Sequence, residues 1–156
     1  MNLMDNRAEI FALLKQHEVA ISELYSAYAE RFPYRKQFWL QLADEEMEHA
    51  DVVDLLQAKI EENEAIYSQD KIRTGAIRSS IDYIERLTEE ARVGLLRMVN
   101  ALSIALDLEE AVIEKKFFQV VEGDTVDIKR MLQELQDKDQ DHANRIHEEL
   151  NKHRKD

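Results

Sequence analysis

The sequence has no cysteine, one proline and only three glycines in 156 residues. Without Cys there is no disulfide, no thiolate metal site and no iron–sulfur cluster, and a reducing cytoplasmic setting is the expectation. The shortage of Pro and Gly leaves few places for a helix to stop, so an all-α chain is expected. Runs rich in β-branched residues are missing as well, which excludes a parallel sheet. No apolar run approaches the roughly 20 residues needed to cross a bilayer, and no membrane association is expected. The first residues carry Asp5, Arg7 and Glu9 instead of an apolar stretch, so a secretory signal is not expected. Basic charge is also scarce: 21 Lys and Arg stand against 33 Asp and Glu, a net charge of −12. Nucleic acid is excluded as a partner, because phosphate contacts need clustered Lys and Arg. So acidic a chain fits a protein that handles cations, although solvated bundles of this charge are common.

What the sequence has in abundance is helical periodicity. The length suits one domain spanning residues 1–156 with a sizeable core. A first helix is predicted over about 5–32, with Phe11, Leu14, Ile21, Leu24, Tyr25, Tyr28 and Phe32 on one face. Pro33 ends it, and a short turn makes the second helix, about 34–62, an antiparallel neighbour. Residues 63–78 lose the clean period and read as a long crossover. Ser79 or Ser80 would cap a short helix to about 87, with Ile81 and Ile84 packed on the bundle. A third helix is predicted from a cap at Thr88 to about 121, stopped by Gly123 and buried through Leu95, Leu96, Val99, Leu102, Leu106, Ile113, Phe117 and Val120. Asp124 or Thr125 would cap a fourth, about 126–151, with Ile128, Leu132, Leu135, Ile146 and Leu150 inward. Short turn, long crossover, short turn describes an antiparallel four-helix bundle with its long connection between the second and third helices.

Two of these helices carry the same interruption. Trp39, Leu42, Val53 and Leu56 form an apolar stripe with Glu46 and His49 in its middle. Leu135 and Ile146 flank Asp139 and His142 in the same way. Leu42, Glu46, His49, Ala50 and Val53 correspond to Leu135, Asp139, His142, Ala143 and Ile146 at identical spacing. A carboxylate and an imidazole three residues apart share one helix face, where both can reach one metal ion; burying them without a partner is costly. The other two helices each offer an acidic residue on the stripe: Glu18, and Glu110 with Glu109 as its substitute. Glu110 is preferred because it sits on the same side of its stripe as Glu18. Glu45 competes with Glu46, but the three-residue step to His49 selects Glu46. The set Glu18, Glu46, His49, Glu110 (or Glu109), Asp139 and His142 matches the donors of a two-iron or two-manganese centre in a bundle core. Oxygen-rich ligation with two imidazoles suits iron or manganese better than zinc. Asp139, one methylene shorter than Glu, is the weak point: it binds one ion, binds through water, or does not bind.

The residues Glu18…Tyr25, Trp39-x-x-Leu-Ala-x-Glu-Glu-x-x-His-Ala, Leu108-Glu109-Glu110 and His142 resemble the ferritin-like di-iron carboxylate proteins. Within these the chain is most similar to the rubrerythrin-like branch, over nearly its whole length. The resemblance implies a di-iron site that reduces hydrogen peroxide with electrons from a Cys-ligated rubredoxin domain. No Cys is present to build such a domain, so the implied electron donor is external. Asp139 departs from the family's Glu.

Other residues read more plainly. His17 is expected to be a hydrogen-bonded core residue, and His147 and His153 solvated. Tyr25 and Tyr28 are expected to pack in the core, and Glu148-Glu149 to form a solvated face. Phe38, Leu40 and Leu55 lie partly off the inward stripe, from which a homodimer is expected. The functional expectation is a metal-binding, di-iron oxidoreductase acting on peroxide, O₂ or Fe(II). The alternative is a non-enzymatic metal-binding or interaction bundle with an incomplete site.

Overall fold

The structure, a computed structural model, describes residues 3–63, 74–111 and 126–154. All regular elements among them are helical, with no strand. Helix α1 spans Leu3–Arg31 and α2 spans Lys36–Asn63. Between them Phe32 leaves the helical region (φ −121°, ψ 71°), and Pro33 opens a single 3₁₀ turn, Pro33–Arg35. Pro at that position needs no backbone N–H, so the reversal is made without an orphaned donor. The two helices run antiparallel: Ser22 Oγ donates to the Ala43 carbonyl at 2.8 Å, and Lys15 pairs with Asp54 one end away. Their shared face buries Phe11, Leu14, Ile21, Leu24 and Tyr28 of α1 against Trp39, Leu42, Val53 and Leu56 of α2.

Helix α3, Thr74–Val93, packs along α1. Ile77, Ile81, Ile84, Leu87 and Ala91 form its buried stripe. It runs in the direction of α1: Arg78 binds Glu9, Ser80 meets His17, and Tyr83 and Glu90 lie beside Tyr28. Of the stretch read as crossover, residues 64–73 lie outside the described residues, and residues 74–78 belong to this helix, which is longer than expected. It starts at Thr74, ahead of the expected cap at Ser79 or Ser80, because Gly75 falls in the first turn, where a helix tolerates Gly best. Ser80 sits inside the helix and satisfies the His17 Nε2 nitrogen at 2.9 Å.

The expected start of a helix at Thr88 is also wrong. Thr88 is buried mid-helix and donates its hydroxyl to the Ile84 carbonyl at 3.0 Å, the back-bond open to a Thr within a helix. The real break follows at residues 94–97. Gly94 N–H still bonds to Glu90 O, and a Cβ at Gly94 would stand 2.6 Å from that oxygen. Leu95, expected in the core, is 95% exposed on this connection. Arg97 is extended (φ −92°, ψ 155°) and opens α4, Met98–Glu109. Helix α5, Val126–Arg154, packs on α4 and α2. It runs antiparallel to α2, because His142 meets Glu46 while Glu149 meets Arg35. All five expected inward residues of this helix, Ile128, Leu132, Leu135, Ile146 and Leu150, are buried. Ile113, Phe117, Val120, Gly123, Asp124 and Thr125 lie outside the described residues. Among those described, no helix is long and apolar enough to cross a membrane.

Glu149 corrects a further expectation. It is buried, not part of a solvated face, and Arg35 holds it with two donors, Nε at 2.5 Å and Nη2 at 2.8 Å. Arg35 closes the 3₁₀ turn between α1 and α2, so the pair ties that turn to the end of α5. His153 is partly buried and lies 3.3 Å from the same carboxylate.

Candidate metal centre

The buried faces of α1, α2, α4 and α5 each carry acid or imidazole groups that meet at one level. Glu18, Glu46, His49, Glu109, Asp139 and His142 are all buried there. The two acidic-x-x-His motifs exchange partners. His49 Nδ1 lies 3.5 Å from Glu46 Oε2, 3.6 Å from Asp139 Oδ1 and 3.8 Å from Glu18 Oε2. His142 Nδ1 lies 3.0 Å from Glu46 Oε1 and 3.3 Å from Glu109 Oε1. Asp139 thus faces the imidazole of α2, and Glu46 places one oxygen toward each imidazole. The rings stack with centroids 5.0 Å apart and planes 20° apart. Glu46, His49 and His142 each bring one donor atom within 4.8 Å of the others, a buried group that could hold a metal ion.

His49 is the unusual member. Neither of its ring nitrogens has a hydrogen-bond partner among the described residues, although the side chain is 1% exposed. Its three carboxylate neighbours all stand beyond hydrogen-bond distance. Leaving a buried polar group unsatisfied costs about 1–3 kcal/mol. Four acids drawn to one buried level add a like-charge penalty unless protons or cations offset it.

The His142 side is better satisfied. Burial pushes the Glu109 carboxyl up. Hydrogen bonding and charge from His142, joined by hydrogen bonds with Glu46 and Tyr25, outweigh burial and hold it below the usual range. Burial also pushes the His142 imidazole down, but its bond to Glu109 and the charges of Glu109 and Glu45 raise it overall, against Arg145. Tyr25 donates to Glu109 Oε1 at 2.7 Å. Burial first, then the Glu109 and Glu46 charges, raise that phenol well above its ordinary value.

No known family model, curated protein or solved structure matches the chain. The site therefore stands on its own geometry.

The structure places the two competing pairs of acids differently. Glu46 is buried, whereas Glu45 sits on the rim, bound by Arg145 Nη2 at 2.7 Å and 3.8 Å from His142 Nε2. Glu110, the preferred residue of the third predicted helix, is exposed; Glu109 is the one turned inward. The preference assumed one continuous helix from residue 88. The break at 94–97 resets the helical phase, and α4 ends at Glu109, with Glu110 as its C-cap. Asp139, despite its short side chain, reaches the cluster. His17 is buried and hydrogen-bonded, as expected. Tyr25 is the residue that composition and spacing assigned to packing alone. Its position seven residues after Glu18, two turns along the same stripe, was the signal that it belongs beside the cluster.

Proposed function

We propose that the chain is a metal-binding helical bundle of the ferritin-like di-iron carboxylate type, an oxidoreductase acting on peroxide, O₂ or Fe(II). In this reading α1, α2, α4 and α5 are the four bundle helices, and α3 forms the crossover between the second and third. The cluster holds two divalent cations, iron or, as the alternative, manganese. The observation that carries the reading is His49, a buried imidazole without a hydrogen bond among the described residues, whose Nδ1 has three carboxylate oxygens within 3.8 Å. Two donor atoms each about 2.1 Å from one ion, at tetrahedral or octahedral angles, stand roughly 3.0–3.4 Å apart. The 3.5–3.8 Å spacings around His49 need only a few tenths of an ångström of contraction.

Glu18, Glu46, Asp139 and His49 supply one group of donors; Glu46, Glu109 and His142 supply the other. Glu46 is shared. Tyr25 fixes the orientation of Glu109 from behind, as an outer hydrogen-bond partner does for a ligating carboxylate. Ligation needs imidazole nitrogens free of protons, so loading the His142 side displaces a proton. When bound, iron supplies one-electron redox chemistry that these side chains lack. Reducing equivalents come from an external donor, since the sequence offers no Cys-based centre.

A second reading is a non-enzymatic bundle with one ion. The close grouping of Glu46, His49 and His142 favours it. Reconstitution with Fe(II) or Mn(II) under anaerobic conditions, followed by metal analysis, separates the two. Two ions per chain support the di-metal reading, and one supports the second. Glu46→Ala combined with His49→Ala should abolish binding and the accompanying rise in melting temperature, while His17→Ala should leave both intact. A double variant that binds metal with unchanged stoichiometry overturns both readings.

A further inference from the structure

Five helix ends meet at the pole that carries the α1–α2 turn. Helices α1 and α3 run the same way and stop there, and α2 starts there. Helix α4 starts there too, after the short connection at 94–97, and the Arg35–Glu149 pair brings the end of α5 to the same level. This pole is basic in an acidic chain. Residues 31–36, 92–97 and 149–154 hold seven Lys and Arg against one acid, Glu149, which Arg35 neutralises. Adding the next acids back along the helices, Glu30, Glu89, Glu90 and Glu148, still leaves bases in excess, although acids outnumber bases 33 to 21 in the whole chain. Arg31, Lys36, Arg97, Lys152 and Arg154 are exposed and make no ion pair among the described residues.

Helix dipoles explain only part of this. Cations in the last turns of α1, α3 and α5 complement the carbonyl ends of those helices. Lys36 is the first residue of α2 and Arg97 the N-cap of α4, where the dipole disfavours a cation. Neither first turn carries an acid, and the Arg97 side chain makes no capping bond. Two helix starts thus carry charge of the wrong sign for the fold, which points to a use outside it. The same pole bears uncovered apolar side chains. Leu95 and Val93 are the most exposed large apolar residues among those described, at 95% and 85%, and Tyr34 is 66% exposed. They stand on two short connections, Val93 and Leu95 between Arg92 and Arg97, and Tyr34 between Arg31 and Arg35. A protein partner packs against a closely fitting patch, which single protruding side chains do not make. Nucleic acid offers phosphates but nothing for aliphatic groups. An anionic bilayer offers both, with phosphates for the cations, acyl chains just beneath for Leu and Val, and an interface that suits Tyr.

We propose that this pole docks the bundle end-on to an anionic lipid bilayer. Leu95 and Val93 insert, Tyr34 lies at headgroup level, and the unpaired Lys and Arg meet the phosphates. The contact is peripheral and needs no spanning helix. Its residues are scattered over the chain, so no apolar or basic run announces it. The net charge does not oppose it. At physiological ionic strength charges more than about 8 Å away are largely screened. Acids more than about two turns from the pole, at roughly 1.5 Å per residue, therefore feel little of the surface. The docking is independent of the metal reading.

Co-sedimentation of the purified chain with phosphatidylglycerol–phosphatidylcholine vesicles tests it. Binding should fall with added salt and be absent with phosphatidylcholine alone. Each Lys or Arg near an anionic surface contributes about fivefold, so Lys36→Gln with Arg97→Gln should weaken binding on the order of 25-fold. Lys129→Gln with Lys138→Gln removes the same charge from exposed positions along α5 and should change little. Val93→Ser with Leu95→Ser should weaken binding roughly tenfold or more. Brominated lipid should quench the emission of Leu95→Trp but not that of wild-type protein, whose single Trp, Trp39, is buried. Equal binding to neutral vesicles, an equal loss in the Lys129–Lys138 variant, or no quenching of Leu95→Trp overturns the proposal. A chain that ignores vesicles and self-associates through Leu95 overturns it as well, since a second copy then covers this pole.

Discussion

Replacing Glu18 by Gln asks whether the buried carboxylates need a cation. Glu18, Glu46 and Asp139 each approach His49 Nδ1 within 3.8 Å, so their charges crowd one small volume. Two unit charges about 7 Å apart repel by about 2 kcal/mol at an effective dielectric constant near 20. Protons shared within the cluster reduce that figure, and removing one charge should stabilise the metal-free protein by about 1 kcal/mol. For a chain of this size, that is an increase of about 2–4 °C in melting temperature. With Mn(II) at about 100 times its dissociation constant, the wild type should gain about 2.7 kcal/mol. The Gln variant, having lost a charged donor, should gain less; a tenfold weaker site forfeits about 1.4 kcal/mol. The order of stability should therefore reverse: variant above wild type in chelator, wild type above variant in metal. Paired thermal melts by circular dichroism read both conditions, and Mn(II) avoids oxidation during the scan. A variant less stable in both conditions, or one with an undiminished metal shift, refutes the reasoning.

Three other perturbations test the frame around the site. Burial alone would raise the Glu149 carboxyl, but the Arg35 bonds, followed by those of His153, hold it below its ordinary value. A depressed carboxyl stabilises the fold above its unfolded value and loses that contribution as pH falls through the folded one. Arg35→Ala should thus cost about 1–3 kcal/mol at neutral pH and move the acid-unfolding midpoint upward, with the difference from wild type shrinking below about pH 4; an unchanged midpoint counts against the clamp. Gly94→Ala puts a Cβ 2.6 Å from the Glu90 carbonyl oxygen and should cost about 1–3 kcal/mol in urea unfolding, against a stability gain if the site were ordinary helix. Asp139→Glu adds a methylene to a buried residue that already reaches the cluster. It should lower the melting temperature by crowding, without raising the number of ions bound.

The helical stripes of α1, α2 and α5 were legible because each keeps one apolar face on both sides of its polar interruption. The repeat of Leu42, Glu46, His49, Ala50 and Val53 in Leu135, Asp139, His142, Ala143 and Ile146 identified two faces that the fold does bring together. What the sequence concealed was phase. A Thr can cap a helix or back-bond within one, and Thr88 does the second. A Gly can end a helix at several registers, and Gly94 ends α3 six residues later. That shift, invisible to periodicity, decides between Glu109 and Glu110. The exchange of partners between the two acidic-x-x-His motifs was equally hidden, since spacing says which residues share a face but not which residues they meet across it. Glu149 looked solvated because Arg35 is 114 positions away in the chain.

The length of α4 gives the cluster its asymmetry. Glu109 is the last residue of that helix, where the backbone carbonyls leave a partial negative charge of about half an electron. An acid is disfavoured at that position unless a cation is nearby. In the structure the imidazole of His142 and the hydroxyl of Tyr25 meet this need, and Glu109 stays ionised despite burial. Glu18 is placed differently, mid-helix in α1, with the bare imidazole of His49 beside it. The two sides of the cluster thus differ in what a cation would replace: a proton shared with His142 on one, an unsatisfied nitrogen on the other. A cation entering the His49 side displaces no hydrogen bond of that ring, whereas one entering the His142 side must displace bonds to Glu46 and Glu109. The proposed two-cation site therefore predicts stepwise loading, with the His49 side filling first. Calorimetric titration with Mn(II) in buffers of different ionisation heat should resolve a tight step with little proton release and a weaker one that releases a proton. A single step, or proton release confined to the tighter one, would reverse the assignment of the two sides.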